Sequence, residues 1–453
     1  MNKRLKKSVL LLLAGNLCLL PELSAQEKLN LTLEEAIEAA RKNNQLLQIR
    51  KLQVSEKDAK VKESQIRLYP SVSVNAGYQY NTAIGELAVP AGSFGELPLY
   101  YPNTGIVNVA MPNEGKTFDV SRHNNLNAGV LAYQPLTQLA KIKTGVEVSK
   151  TDAEIARAEQ RKTESQIVNA VEQYYYGILS VQKRKLEAQK KIELAKLKLY
   201  DVQSALLAGK TTDLSELGLN AEIANEEQEL LKLKFQEEDY LAELKTWTGI
   251  RDSELVLTDT GFSGPVMAIL DDYQTAALKH NADLKIAELQ KQKAGLAVKA
   301  ARQNYTPDFG VFAGYAYQEG NRILPKSNPY AGLSFKWNIQ DLLTNRQSVA
   351  QYQLLREQAG AHEEYLREQT MVSIEKAYRK MKQAEELIAV ARKAVGYRKA
   401  EWKVRQDRRD AGLAKPIELL EAEAALAKSE ADLYGAIMSL KLAQAELKML
   451  TEE

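Results

Sequence analysis

Three histidines, one cysteine and 59 carboxylates are the side chains of this 453-residue sequence that could bind a metal, act as a nucleophile or move a proton. His123, His280 and His362 are isolated from one another, with no Cys, HExxH or acidic ligand pattern around them of the kind that builds metal sites. Cys18 has no second cysteine to pair with, so neither a disulfide nor a thiolate cluster can hold the chain together. The carboxylates lie mostly among lysines along helical stretches, the pattern of solvated faces. Gly77, Gly310 and Gly314 sit in alternating segments and form no phosphate loop. No catalytic constellation and no cofactor site is expected, so function must reside in architecture.

The first residues carry Lys3, Arg4, Lys6 and Lys7, then an apolar run from Val9 to Leu20, then Pro21-Glu22-Leu23-Ser24-Ala25, the three regions of a secretory signal peptide. The run is broken by Gly15 and Asn16 and falls short of the roughly 20 residues a spanning helix needs. Cleavage after Ala25 would take Cys18 with the signal, and Gly15-Asn16-Leu17 lacks the small residues wanted before a lipidated cysteine. Losing four bases and Glu22 lowers the formal charge from +2 to −1, which gives no support to a nucleic-acid partner. No later stretch is an apolar spanning helix, so any crossing of a membrane must be made with strands.

The chain repeats itself. At an offset of 237, an ungapped match runs from Leu33/Leu270 to Tyr80/Tyr317, through Asn44/Asn281 and Pro70/Pro307, to Ala76-Gly77-Tyr78 on Ala313-Gly314-Tyr315. At an offset of 203, Ala128-Gly129, Tyr175, Ala208-Gly209 and Ala242-Glu243-Leu244 fall on Ala331-Gly332, Tyr378, Ala411-Gly412 and Ala445-Glu446-Leu447. The difference of 34 residues lies between Tyr80 and Ala128, against the shorter Gln318 to Pro329. The expected organisation is a signal peptide at 1–25, a first structural repeat at 26–249 and a second at 250–453.

Each repeat opens with a helix. The first has Thr32 and Glu35 at capping-box spacing and continues to Leu68, where Pro70 stops it. Strict alternation follows: Val72, Val74, Ala76, Tyr78 and Tyr80 face one way, Ser71, Ser73, Asn75, Gly77 and Gln79 the other. Phe309 to Tyr317, Ala331 to Ile339 and Leu126 to Leu136 make four such strands, each about the ten residues a tilted strand needs to cross a bilayer. Tyr78, Tyr80, Tyr315, Tyr317 and Trp337 lie near strand ends, where an aromatic girdle would sit. On the strands alone, an ordinary half-buried sheet accounts for the pattern equally well.

The helices separate these readings. Leu136 to Leu206 contains no proline, which predicts one helix of about 70 residues, roughly 105 Å long. Ala188, Ile192, Ala195, Leu199, Val202 and Leu206 form a coiled-coil stripe, and a shorter helix returns to Trp247 with Leu214, Leu217, Ala221 and Ala224 on one face. The second repeat predicts a helix over 342–409 and a return carrying Leu426, Leu433, Leu440 and Leu447 beside Ala424, Ala427 and Ala431. A four-stranded sheet cannot close in lipid on its own, because its edge N–H and C=O groups would go unpaired; several copies must share a barrel.

Leu31-Thr32-Leu33-Glu34-Glu35-Ala36, Gln134-Pro135-Leu136 and the paired Ala-Gly turns resemble the TolC outer-membrane efflux family over essentially the whole mature chain. The resemblance implies an α+β membrane protein: a long α-helical coiled-coil barrel continuous with a transmembrane β-barrel, built from two internal repeats and shared between the subunits of a homotrimer. It implies a passive exit duct in outer-membrane lipid with a periplasmic helical extension, coupled through a periplasmic adaptor (membrane fusion) protein to an inner-membrane pump. The adaptor-docking tips carried over are Ala208, Gly209, Lys210 and Thr211, and Ala411, Gly412, Leu413 and Ala414. The family's acidic pore constriction falls on Glu418 and Glu421; a solvated helix face is the competing reading. The chain departs from the family pattern at Arg409, where an aromatic residue is expected, and at Ala414, where a basic one is, so the closing network is expected to use Arg405, Arg408 or Lys415 instead. A periplasmic structural or adaptor coiled-coil protein is the alternative, but an adaptor should carry one hairpin with a lipoyl-like domain. The transported substrate is not legible.

Overall fold

The computed structural model describes residues 28–209, 213–251, 254–258 and 269–452; the expected signal peptide lies outside them. In the first half, β1 (Lys28–Leu31), α1 (Leu33–Asn43) and α2 (Gln45–Ile66) lead to β2 (Ser71–Tyr80). Then come β3 (Glu86–Val89), β4 (Glu96–Tyr101), β5 (Gly105–Ala110), β6 (Lys116–Asp119), β7 (Ser121–Pro135), α3 (Leu139–Leu207) and α4 (Asp213–Thr248). The second half runs β8 (Glu254–Leu257), α5 (Leu270–His280), α6 (Ala282–Gln303), β9 (Asp308–Asn321), β10 (Ser327–Lys336), α7 (Gln340–Asp410) and α8 (Pro416–Thr451). α5 and α6 begin and end 237 residues after α1 and α2, and α8 begins and ends 203 after α4. No helix among the described residues is long and apolar enough to cross a membrane.

The chain packs as two compact units, each drawing on both halves: one holds residues up to Leu52 with Ala158–Lys285 and Glu364–Glu453, the other Gln53–Arg157 with Ile286–Glu363. In the first, Thr32 caps α1 as its sequence predicts, with Glu35 N–H donating to Thr32 Oγ1 at 3.3 Å and Thr32 N–H to the Glu35 carboxylate at 2.9 Å. The single helix expected from Thr32 to Leu68 is instead two. Asn44 is extended, its Oδ1 accepts from the N–H groups of Leu46 and Leu47 at 3.0 and 3.2 Å, and its amide donates to the Trp247 carbonyl at 3.0 Å. Asn281 does the same work in the second half, accepting from Leu284 N–H at 3.0 Å and donating to the Leu450 carbonyl at 2.9 Å. An asparagine can satisfy a helix start and a returning helix end at once, so the break is built rather than accidental.

Four helices of this unit lie side by side in the order α4, α3, α8, α7. Lys185 pairs with Glu237 and Lys191 with Glu226 between α3 and α4. Lys190 meets Glu423 at 3.1 Å between α3 and α8, and Lys380 meets Glu446 at 2.9 Å between α7 and α8. The predicted α3 stripe is buried at Ala188, Ile192 and Ala195 and half-buried at Leu199, Val202 and Leu206. On α8, Leu440 and Leu447 are buried against Ile374, Ala377, Met381 and Ala384 of α7, Leu426 and Leu433 are half-buried, and Ala424, Ala427 and Ala431 are buried. Tyr175 of α3 is buried, and its hydroxyl donates to the carbonyls of Leu31 and Thr258, beside the parallel β1–β8 pair.

The second unit contains a four-stranded antiparallel sheet in the order β10-β9-β7-β2, so β10 and β2 are its edges. The segment read as a long loop, 81–125, holds two antiparallel ladders, β4 with β5 nested between β3 and β6.

Candidate functional site

The ladder register places the alternating residues of all four strands on common faces. Val74 lies opposite Val130, Val130 opposite Tyr315 and Tyr315 opposite Pro329; Val72, Ala132, Ala313 and Ala331 form the next row. Among the described residues nothing covers this apolar face: Val72, Val74, Tyr78, Leu333 and Phe335 are 66–76% exposed. An ordinary half-buried sheet would hide it, because leaving such a face in water forgoes about 25 cal/mol for each Å². The opposite face carries Ser71, Ser73, Asn75, Asn127 and Gln318 beside glycines that leave room for rings. A Cβ at Gly332 would come within 2.6 Å of the Phe312 ring, and one at Gly314 within 2.7 Å of Tyr330.

Of the expected aromatic girdle, Tyr78, Tyr80, Tyr315 and Trp337 are exposed and Tyr317 half-buried. Tyr78 donates to Asn124 Oδ1 at 2.7 Å, and Tyr80 stacks on His123 at 5.6 Å between ring centroids. His123 is thereby a loop-packing residue whose ring also contacts the Asn81 carbonyl. Among the described residues no cluster of metal-binding side chains occurs.

The helices α3 and α7 each run into a glycine. Gly209 and Gly412 adopt φ +67° and +71°, in the left-handed region that glycine reaches without strain, and a Cβ at either would meet nothing within 4 Å. At the second turn, Gly412 N–H donates to the Arg409 carbonyl and Leu413 N–H to that of Arg408, each at 2.8 Å, the hydrogen-bond pattern of a Schellman stop. Ala208, Gly209, Ala411, Gly412 and Leu413 are exposed and Ala414 is half-buried, whereas Lys210 and Thr211 lie outside the described residues.

Glu418 and Glu421 both meet bases of their own chain. Arg405 reaches the Glu418 carbonyl at 3.3 Å and its carboxylate at 4.0 Å while holding Glu401 at 3.1 Å. Lys198 of α3 pairs with Glu421 of α8 at 3.3 Å, tying one helical hairpin to the other. Hydrogen bonds from Arg398 and Arg405 hold the Glu401 carboxyl below its ordinary range, and the Glu193 and Glu423 carboxylates raise Lys190. Arg405, expected from the sequence, therefore joins this network; Lys198 was not expected, because its partner lies 223 residues away in sequence. Elsewhere in this unit, a cavity of about 540 Å³ is lined by charges of both signs, including Glu34, Arg41, Glu172 and Lys448. Burial raises the Glu172 carboxyl against the pull of Lys448 and Lys441.

The outer flanks of the four-helix layer carry exposed apolar seams. On α4, Leu214, Leu217, Leu231 and Phe235 are 49–77% exposed, and Ala221 and Ala224 continue their spacing of alternating threes and fours. On α7, Leu387, Val390, Tyr397 and Val404 are 57–77% exposed at the same spacing. The start of the α4 seam, at Leu214, Leu217, Ala221 and Ala224, is legible in the sequence; on α7 the heavy charge between the apolar positions hides it.

A family model described as outer membrane efflux protein matches residues 36–250 and 274–451. Among solved structures, the CmeC outer membrane channel of Campylobacter jejuni is 14% identical, with 92% of this chain and 85% of that one covered and a TM-score of 0.70. VceC of Vibrio cholerae is 14% identical, covering 92% and 95%, at 0.67, and the open state of MtrE of Neisseria gonorrhoeae is 14% identical, covering 92% and 88%, at 0.64. Among curated proteins there is no match.

Proposed function

We infer the working assembly from one premise: the chain belongs to the outer membrane efflux protein family. It is a passive outer-membrane duct of a tripartite efflux system, not an enzyme, acting as a homotrimer with a periplasmic adaptor and an inner-membrane pump. The pump supplies the free energy, and this chain supplies a water-filled path. The observation that carries the reading is the sheet with two unpaired edges, β2 and β10, and a continuous apolar face left exposed. In lipid those edge groups need partners, and identical copies joined head to tail supply them while the ring closes. The exposed seams of α4 and α7 make the same demand in the helical layer.

Residues 1–25 are read as the signal peptide, with repeats at 26–249 and 250–453. Tyr78, Tyr80, Tyr315, Tyr317 and Trp337 are assigned to the membrane interfaces. Glu418 and Glu421 are assigned to the narrow end of the duct, where Arg405 and Lys198 latch them, and opening is a rotation of the hairpins that breaks the Lys198–Glu421 link. The turns at 208–211 and 411–414 are assigned to the adaptor. A periplasmic adaptor would carry one hairpin, whereas this chain carries two, α3–α4 and α7–α8. Reconstitution of purified protein into planar bilayers tests the duct: discrete steps of ionic current are expected, and a silent bilayer from protein that migrates as a folded barrel would refute it.

A further inference from the structure

The two turns share a left-handed glycine, Gly209 and Gly412, but differ in charge. Residues 403–415 contain Lys403, Arg405, Arg408, Arg409 and Lys415 against Asp407 and Asp410, a net +3, whereas the equivalent 200–212 contain Asp201 and Lys210, a net of zero. Arg405 is engaged by Glu401 and Glu418. Lys403, Arg408, Arg409 and Lys415 are exposed, and among the described residues no ion pair holds any of them. The dipole of α7 accounts for Arg408 and Arg409, which lie in its last turn. It does not account for Lys403, more than a turn earlier. It argues against Lys415, which is the N-cap of α8, where a positive charge opposes the dipole and the side chain makes no capping bond. Four cations held by no ion pair, set against Asp407 and Asp410 for a remaining +2, surround an exposed turn that also presents Leu413, 70% exposed, a surface shaped for an anionic partner.

We propose that the Lys403, Arg408, Arg409 and Lys415 cluster makes the α7–α8 turn the charge-reading contact of the duct, docking on a carboxylate-rich segment of the adaptor. The neutral α3–α4 turn, with Leu207 92% exposed, contributes apolar contact instead. This rests on the reading that the turns meet an adaptor. The two turns are therefore not interchangeable: the acidic partner segment seats on the second, and docking there weakens as salt screens it.

The test places a photo-crosslinking amino acid at Leu413 or at Ala208 of the full-length chain in its native cells, and maps the crosslinked peptide by mass spectrometry. The Leu413 probe is expected to capture an adaptor segment with an excess of Asp and Glu. Its yield should fall about tenfold in a K403E/R408E/R409E/K415E variant, while the Ala208 yield changes by less than twofold. Heat-modifiable migration checks that the variant is folded, and the milder R408Q/R409Q variant, expected to lose about threefold, serves where it is not. A captured segment without excess carboxylates, or a yield indifferent to charge reversal, overturns the charge pairing and leaves tip docking standing. Crosslinks from Leu413 to phospholipid alone overturn the proposal in favour of a membrane surface. No protein crosslink from either position overturns the adaptor reading itself.

Discussion

Replacing Glu421 by glutamine keeps the shape of the side chain and removes the charge that Lys198 holds at 3.3 Å. Both side chains are more than a third exposed, 36% and 44%, so one link contributes about 0.2–1 kcal/mol rather than the larger figure of a buried pair. Three copies sum to about 0.6–3 kcal/mol, and their loss should raise the ratio of open to closed channels about three- to 150-fold. Open probability in planar bilayers reads this directly. Lys198→Met should open the duct as much as Glu421→Gln does, but only Glu421→Gln, which strips a carboxylate from the path, should also lower cation preference. Moving from 0.1 to 1 M salt shortens the screening length from about 10 to about 3 Å, so the wild type should approach the variants as salt rises. Equal open probability in wild type and both variants at low salt would refute the latch.

Other perturbations act on separate parts. Leu217→Glu on α4 or Tyr397→Glu on α7 puts a charge into an exposed seam and should weaken the assembly by about 1.5–3 kcal/mol per copy, read as a lower temperature of trimer dissociation on gels; an unchanged temperature would mean the seams face water. Gly332→Val forces a side chain into the space of the Phe312 ring and should cost about 1–3 kcal/mol, seen as a smaller heat-modifiable fraction. Asn44→Ala and Asn281→Ala each remove a helix cap and a bond to a returning helix end, and each should lower thermal stability by about 1–2 kcal/mol, whereas Asn43→Ala should cost less. Burial raises the Glu172 carboxyl above its ordinary 4.5, so the stability it contributes is present at low pH and is lost as pH rises. Glu172→Gln should therefore raise the melting temperature at pH 7.5, with the advantage gone by about pH 4; a lower melting temperature at pH 7.5 would show that Lys441 and Lys448 outweigh the burial.

The duplication and the alternating strands are legible in the sequence because their signals are local. Alternation from Ser71 to Tyr80 needs no knowledge of partners, and α1, α2 and α4 recur at fixed offsets. The breaks at Asn44 and Asn281 are less so: an asparagine inside a helical pattern is tolerated, and only the distant carbonyls of Trp247 and Leu450 turn it into a junction. The strand pairs within 81–125 are short and lack clean alternation, with Leu97, Leu99, Tyr100 and Tyr101 crowded together, so they read as loop. The Lys198–Glu421 pair shows the same limit. The family resemblance alone points to Glu421, and Lys198 is one of many lysines on a solvated helix until the fold brings α3 beside α8.

Whether identical copies pool their sheets is most directly measured by native mass spectrometry of detergent-extracted outer membranes. A species of three times the mass of the cleaved chain, collapsing to one chain on heating, is the expected result. A single-chain species, recovered without detergent, would contradict it.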